Sequence, residues 1–191
     1  MEQGLENGFI DISPSRRRFL AQLAVVAAAG SGPAWAADFD VSRWPAGEPA
    51  PALQATDLAG KTWRLADLRG RAVLLNFWAS WCPPCRAEMP SLQDMAAIYG
   101  PDQIVVLAIN YKESRNTAAR FVQASALSLP VLLDPDGSVA RQWGASVFPT
   151  TVLIDSTGQP RQRVRGEVEW SSPAAGRLIA PLLAPVPSQR T

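Results

Sequence analysis

Apolar and polar positions along the chain fall into two alternating patterns. Residues 72–79 form a nearly unbroken apolar run of strand length, which is typical of a strand covered on both faces in the middle of a sheet. Over residues 83–99 apolar or small side chains recur at helical spacing, and Gly100 and Pro101 end that pattern. The chain is therefore expected to pass from a buried central strand almost directly into an amphipathic helix.

The rest of the chain repeats this alternation and predicts the fold class. A hairpin is expected over residues 52–56 and 61–65, around a turn at 57–60. Further along, the pattern predicts strands at 104–110, 131–133, 151–155 and 159–165, and helices at 115–126, 138–143 and 173–183. This order predicts an α/β fold with a central mixed sheet, helices on both of its faces and an extra N-terminal β-hairpin.

The first 36 residues have the pattern of a targeting segment. Ser15-Arg16-Arg17-Arg18-Phe19-Leu20 precedes an apolar run over 20–29, and small residues follow as far as Ala34 and Ala36. The segment resembles a twin-arginine export signal, although Ala21 stands where such signals often carry lysine. At ~1.5 Å per residue the apolar run spans about 15 Å, half of a ~30 Å hydrocarbon core. We expect cleavage after Ala36; an amphipathic surface helix is the alternative.

Beyond the signal we expect an irregular arm over 37–50, one domain over 51–184 and a disordered tail over 185–191.

Composition and charge exclude some classes of function. The chain has 18 Lys and Arg against 17 Asp and Glu, and this near-neutral balance argues against nucleic-acid binding. It has no histidine, which excludes His-dependent triads and almost every common zinc or copper site. We therefore expect no metal and no cofactor.

Both cysteines lie in the segment Trp81-Cys82-Pro83-Pro84-Cys85, between the predicted strand and the predicted helix. A thiol at a helix N-terminus faces unpaired backbone N–H groups and the positive end of the helix dipole, which favour the thiolate. Because the thiolate is the nucleophile in disulfide exchange, we expect Cys82 to attack and Cys85 to resolve the mixed disulfide. A zinc half-site and an inert structural disulfide are the alternatives.

The two prolines between the cysteines affect the direction of the reaction. Neither has an N–H group, so the amide of Cys85 is the nearest local donor to the Cys82 sulfur. We expect a thiolate that is less stabilised than in strongly oxidising proteins of this kind. The reduction potential should then lie near ~−270 mV rather than ~−120 mV, which favours a reductant.

The run from Asn76 to Pro90 resembles the active-site segment of the thioredoxin superfamily, and more narrowly that of the periplasmic TlpA/ResA-type disulfide reductases. The similarity extends over about residues 48–184. It implies a thioredoxin fold in which Pro90 kinks the active-site helix. It also implies that Phe148 and Pro149 form the cis-proline loop of the family, in which the residue before the proline contacts substrate backbone.

The same resemblance gives Glu88 a role in proton transfer. Asn76 occupies the position at which cytoplasmic thioredoxins carry a buried aspartate. In the TlpA/ResA group the acidic role is assigned to the glutamate three residues after the second cysteine. Cys85 and Glu88 are i, i+3 neighbours on a helix, and burial would raise the pKa of Glu88 and suit it to proton exchange. The alternative is a surface glutamate stabilised by the helix dipole.

Other side chains are expected to complete the site. Trp78 belongs to the core, and Trp81 to the rim of the redox pair, where exposed aromatic residues anchor interfaces. The residues expected to contact substrate are Trp81, Pro83, Pro84, Phe148 and Pro149. Those expected to support the site are Asn76, Trp78 and Pro90.

The resemblance implies a monomeric periplasmic thiol-disulfide oxidoreductase that reduces disulfides of exported proteins. In an oxidising compartment such an enzyme has to be recharged, and the family implies a membrane thiol-electron transporter as the donor. Apocytochrome c, in cytochrome c maturation, and a copper-site cysteine pair are the implied clients. Contact with the membrane is limited to export unless the signal is retained as an anchor.

Two other functions remain open, and a third, a peroxidase, is discounted. An oxidant or isomerase of the same fold would differ in its reduction potential. A peroxiredoxin-like peroxidase needs a hydroxyl residue three positions before its reactive cysteine, where this chain has Ala79. A copper chaperone would bind Cu(I) through the two thiolates alone.

Overall fold

The computed structural model describes residues 39–183, which contain eight strands and four helices. The strands are β1 (Phe39–Arg43), β2 (Gln54–Thr56), β3 (Thr62–Arg64), β4 (Ala72–Trp78), β5 (Ile104–Tyr111), β6 (Val131–Asp134), β7 (Thr150–Ile154) and β8 (Pro160–Gly166). The helices are α1 (Pro83–Tyr99), α2 (Arg115–Ala124), α3 (Ser138–Gln142) and α4 (Pro173–Ile179). Short 3₁₀ turns cover Leu65–Leu68 and Ala180–Leu182.

Six of the strands form one mixed sheet in the order β1-β8-β7-β4-β5-β6. The central strand β4 pairs in parallel with β5 and antiparallel with β7, and all seven of its residues are buried. Its side chains alternate between two apolar clusters: Leu74 and Trp78 face one, and Val73 and Phe77 face the other. Burial on both faces explains why β4 reads as an unbroken apolar run. The predicted fold class is confirmed.

Helices cover both faces of this sheet. The cluster around Leu74 includes Leu92 of α1 and Ile179 of α4, whereas the cluster around Val73 includes Ala140 of α3. The predicted N-terminal hairpin is present as the separate two-stranded sheet β2–β3. These layers place the start of α1 directly after the carboxyl end of the central strand.

The prediction of an irregular arm over residues 37–50 is wrong in its first part. Residues 39–43 form strand β1, which pairs antiparallel with β8 along its whole length, from Phe39 opposite Gly166 to Arg43 opposite Gln162. The outer edge of β8 supplies the unpaired backbone groups that this short segment needs. Several prolines follow this segment closely, and they favour a prediction of irregular structure where the short strand lies. From residue 44 to residue 50 the chain has no helix or strand, as predicted. The first strand of the hairpin begins at Gln54 and not at residue 52, where it was predicted to begin.

Several predictions concern segments outside residues 39–183. These are the signal over 1–36 with its cleavage site, the first two residues of the arm, the end of the domain at 184 and the tail over 185–191. Within the described range no helix is both long and apolar enough to cross a membrane.

Candidate active site

The two cysteines lie where β4 is followed by α1. Cys82 is the N-cap residue of α1, and its sulfur accepts a hydrogen bond from the backbone N–H of Cys85 at 3.3 Å. Pro83 and Pro84 occupy the next two positions, where their fixed φ suits the first turn and their missing N–H groups leave no other donor there. The expected helix start and the expected Cys85 donor are both confirmed.

The cysteines are joined as a disulfide, with their Cα atoms 5.3 Å apart. Cys85 is fully buried and Cys82 is 4% exposed, so only the first sulfur can be reached from outside. Beside it, Pro83 is exposed and Pro84 is half-buried. This asymmetry fits an attacking Cys82 and a resolving Cys85.

The loop before β7 lies next to this pair. The peptide bond between Phe148 and Pro149 is cis, as the resemblance implies. The carbonyl of Pro149 accepts a hydrogen bond from the N–H of Gly166 at 3.0 Å, which ties the loop to the end of β8. Phe148 packs against the apolar cluster that contains both cysteines.

A group of apolar side chains, here called the aromatic rim, begins at Trp81, directly before Cys82. It consists of Trp81 and Val147, which are exposed, and Tyr111 and Phe148, which are half-buried. Trp81 is 60% exposed and meets Phe148 edge to face, with ring centroids 6.1 Å apart. Phe148 also contacts Tyr111, at a centroid distance of 4.6 Å. The rim provides an apolar surface within reach of any protein that approaches Cys82.

Glu88 lies in the interior one turn after Cys85. It is only 2% exposed, so the alternative of a surface glutamate is wrong. Burial raises the pKa of Glu88 to about 7, against hydrogen bonds from three neutral donors that favour the charged form. Asn76 Nδ2 donates to Oε1 at 2.7 Å, and the Val168 N–H and Trp170 Nε1 donate to Oε2 at 3.1 and 3.3 Å.

Asn76 connects this acid to the centre of the sheet. It is fully buried in β4, and its Nδ2 also donates to the hydroxyl of Thr151 on the paired strand β7, at 3.0 Å. Its Oδ1 has no hydrogen-bond partner among the described residues. The neutral amide therefore holds the Glu88 carboxylate in place without supplying a charge.

The segment over residues 166–170 was not predicted to belong to the site. Val168 and Trp170 are buried, and both donate to Glu88. Ser91 strengthens the connection, because its hydroxyl donates to the Glu88 carbonyl at 3.0 Å and accepts from the Trp170 N–H at 3.0 Å. Residues 166–170 resemble a segment common in the TlpA/ResA group, but their alternation of acidic and apolar residues does not by itself indicate this role.

The remaining predicted residues surround the site. Trp78 is fully buried and packs against Phe121 of α2, with centroids 4.8 Å apart. Pro90 lies inside α1 with an exposed side chain, two residues beyond Glu88. Their predicted supporting roles stay predictions.

A second carboxylate near the cysteines was missed by the sequence analysis. Glu113 lies between β5 and α2 and accepts hydrogen bonds from Ser80, which comes two residues before Cys82. Its position depends on a contact between two loops 33 residues apart. No spacing in the sequence indicates that contact.

Within residues 39–183 no group of three or more His, Cys, Asp or Glu side chains is arranged to hold a metal ion. The site combines two cysteines, joined as a disulfide, with a buried acid of raised pKa one helical turn further on. Such an arrangement can exchange two electrons and two protons with another disulfide.

The comparison with known families agrees with this chemistry. Residues 46–163 match the AhpC/TSA family. The chain belongs to this family. Among curated relatives of this AhpC/TSA family member, the thiol-disulfide oxidoreductase ResA of Geobacillus kaustophilus is 37% identical over 120 residues, which are 63% of this chain and 69% of that protein.

Solved structures give the same result. A Chlorobium tepidum chain, provisionally assigned as the thiol:disulfide interchange protein DsbE, aligns with a TM-score of 0.66 and 31% identity over 72% of this chain and 97% of its own. The exposed lipoprotein thioredoxin Etrx1 of Streptococcus pneumoniae aligns with a TM-score of 0.62 and 30% identity over 69% and 100%. This AhpC/TSA family member is a thiol-disulfide oxidoreductase of the ResA/DsbE type.

Proposed function

We propose that the protein reduces disulfide bonds of exported proteins outside the cytoplasm, using Cys82 and Cys85 as its dithiol. The observation that carries this proposal is the buried Glu88 carboxylate, one helical turn after the resolving cysteine, with a pKa of about 7. A group of this pKa can both accept and return a proton near neutral pH.

The first step is attack by Cys82. Its thiolate forms a bond to one sulfur of the client disulfide, and the client S–S bond breaks. The departing client sulfur leaves as a thiolate and takes a proton from water. The aromatic rim supports this step, because it gives an unfolded client an apolar surface beside the reacting sulfur.

The second step releases the client. The Cys85 thiol gives its proton to the Glu88 carboxylate, and its sulfur attacks the Cys82 sulfur of the mixed disulfide. The second client sulfur leaves and is protonated, and the protein is left as a disulfide. The client gains two electrons and two protons, which the two thiols of the protein lose. Glu88 then returns its proton to solvent.

The direction of the reaction follows from the local donors to Cys82. Only the Cys85 N–H reaches the sulfur, because the two preceding positions are prolines. A thiolate with few donors makes the reduced form a strong electron donor. An oxidised protein must then be reduced again, and a membrane thiol-electron transporter is the proposed source of electrons.

The proposed location rests on two observations. The first 36 residues resemble a twin-arginine signal. In addition, the similar Etrx1 is described as an exposed lipoprotein. By the resemblance to TlpA/ResA-type reductases, apocytochrome c and copper-site cysteine pairs are the proposed clients of a monomeric enzyme.

Covalent trapping tests the proposed function. In a Cys85→Ser variant the mixed disulfide cannot be resolved. Cells that export this variant should therefore accumulate covalent complexes through Cys82, and dithiothreitol should release them. The matched control is Cys82→Ser, which keeps one thiol in the same segment and should trap nothing. Equal trapping by both variants, or none by either, contradicts the proposal.

A further inference from the structure

We propose that Glu113 is a positioning residue that holds the loop in front of the attacking cysteine. The proposal deepens the proposed function, because it assumes that Cys82 is the attacking thiol. Glu113 accepts three hydrogen bonds, two from Ser80 and one from Asn110. All three donors lie at the carboxyl end of β4 and β5 or directly after it.

Glu113 contacts the loop between β4 and α1 at Ser80. The Ser80 N–H donates to Oε2 at 2.8 Å and the Ser80 hydroxyl donates to Oε1 at 2.5 Å, so both carboxylate oxygens are used by one residue. The loop then turns once, with the Cys82 N–H bonded to the Ala79 carbonyl at 3.2 Å. Fixing Ser80 therefore fixes the backbone that carries the Cys82 sulfur into the first turn of α1.

Glu113 is itself anchored from two sides. Asn110, fully buried at the end of β5, donates through Nδ2 to Oε2 at 2.7 Å and pairs across the sheet with Trp78 of β4. Lys112 adopts a left-handed conformation with φ of 52°, which is uncommon for a residue with a side chain. Its N–H is held by the Asp134 carbonyl at 2.9 Å. This turn directs the next residue, Glu113, back towards the end of β4.

A carboxylate suits this set of partners, because all three groups around Glu113 can donate to it and the bonds are charge-assisted. A glutamine could meet the same groups only with its oxygen towards the Ser80 N–H and Asn110 and its NH₂ group towards the Ser80 hydroxyl, which would then have to accept. That arrangement loses the negative charge and the stronger, charge-assisted bonds to Ser80 and Asn110. The loop before Cys82 would then be held less firmly.

The reduction potential measures this effect, because it depends on how well the fold holds the two sulfurs together. A looser loop lowers the effective concentration of one thiol at the other, and the disulfide becomes easier to reduce. Removal of a nearby negative charge would act in the same direction. Ser80→Ala separates the two causes, because it removes one hydrogen bond and keeps the charge.

The experiment is equilibration of the full chain with glutathione for the wild type, Ser80→Ala, Glu113→Gln and the double variant. We expect Glu113→Gln to make the disulfide about tenfold easier to reduce, a rise of ~30 mV in potential. Ser80→Ala should give about a threefold change in the same direction. The double variant should match Glu113→Gln, because both substitutions break one contact.

Asp155→Asn is the matched control. The Asp155 carboxylate accepts from the N–H and hydroxyl of Thr157 in the turn between β7 and β8, beyond the end of β7 at which Ile154 pairs with Val73 at the start of β4. The same chemical change is therefore made away from the redox loop, and the equilibrium constant with glutathione should stay within twofold of that of the wild type. The inference is overturned if Glu113→Gln behaves like Asp155→Asn, if Ser80→Ala has no effect, or if the two effects are additive. Failure of the proposed function would instead show in the wild type, as a potential near ~−120 mV.

Discussion

Glu88 is buried beside the redox pair with only neutral hydrogen-bond donors around its carboxylate. Asn76, Val168 and Trp170 all donate to it, and no described residue forms an ion pair with it. Burial disfavours the charge, and the donors partly restore it, so the balance between the two sets the pKa near 7. A change in any donor should therefore shift the pH at which Glu88 exchanges protons.

Trp170→Phe tests this balance at the level of one atom. It removes the indole N–H that donates to Oε2 at 3.3 Å and keeps an aromatic ring in the core. Because that N–H stabilises the ionised form, its loss should raise the pKa of Glu88 further, by about one unit. Infrared titration of the carboxyl group in the oxidised protein measures the shift.

Trp143→Phe is the control for this substitution. Trp143 is also fully buried, but its Nε1 has no hydrogen-bond partner among the described residues. It packs in the cluster on the other face of the sheet, away from the cysteines. Its substitution should leave the pKa of Glu88 unchanged. A shift of equal size in both variants would show that general loosening of the core, and not the Trp170 N–H, sets the pKa.

The helix α1 shows how the local sequence sets the chemistry of the sulfur. Its bounds agree with the prediction from spacing, because a cysteine N-cap, two prolines and a terminal glycine mark both ends in the sequence. An N-cap atom normally accepts from the second and third residues of the helix. In this chain the second helical residue is Pro84, which has no N–H group, so only the third, Cys85, can donate.

Pro84→Ala should therefore change the reactivity of Cys82. It introduces an N–H at the second helical position, which can donate to the Cys82 sulfur and stabilise the thiolate. We expect the pKa of the Cys82 thiol to fall and the reduction potential to rise by ~30 mV, which is a tenfold change in equilibrium constant. Thiolate absorbance against pH and glutathione equilibration measure the two effects.

Pro83→Ala is the matched control, because an N–H at the first helical position does not reach the cap atom. It should change the potential much less than Pro84→Ala does. If both substitutions raise the potential equally, the missing donor at position 84 is not what makes the pair reducing.

Elements defined by local patterns could be predicted, and those defined by distant partners could not. The apolar run of β4 and the capped α1 carry their own signals. Strand β1 forms only because the edge of β8 is available more than 100 residues later. In the same way, Glu113 and Trp170 reach the site through loops that the sequence cannot place. The cysteines and Glu88 could be predicted because they lie within one short segment that resembles the active-site segment of the thioredoxin superfamily.

At the scale of the whole molecule, the raised pKa of Glu88 makes global stability depend on pH. A carboxyl group whose pKa rises on folding, here from 4.5 to about 7, stabilises the folded state fully below pH 4.5 and loses that contribution as the pH rises towards 7. Across this range the free energy of unfolding falls by about 3 kcal/mol in total. Asp57, Asp136 and Asp155 have lowered pKa values, so their effects fall at more acidic pH and have the opposite sign.

Glu88→Gln should remove this dependence. Urea unfolding of the oxidised protein between pH 4.5 and 8 measures it, and the disulfide keeps the cysteines from titrating. We expect the wild type to lose free energy of unfolding across this range and the variant to stay level. Parallel curves for the two proteins would show that Glu88 ionises at its ordinary pKa.

The most direct test of a reducing role is the equilibrium of the wild-type Cys82–Cys85 pair with glutathione at pH 7. Two prolines leave the Cys82 sulfur with one local donor, and a buried acid with a pKa of about 7 lies one helical turn after Cys85. A potential near ~−270 mV is the expected result. A potential near ~−120 mV would make the protein an oxidant and contradict the proposed direction of electron flow.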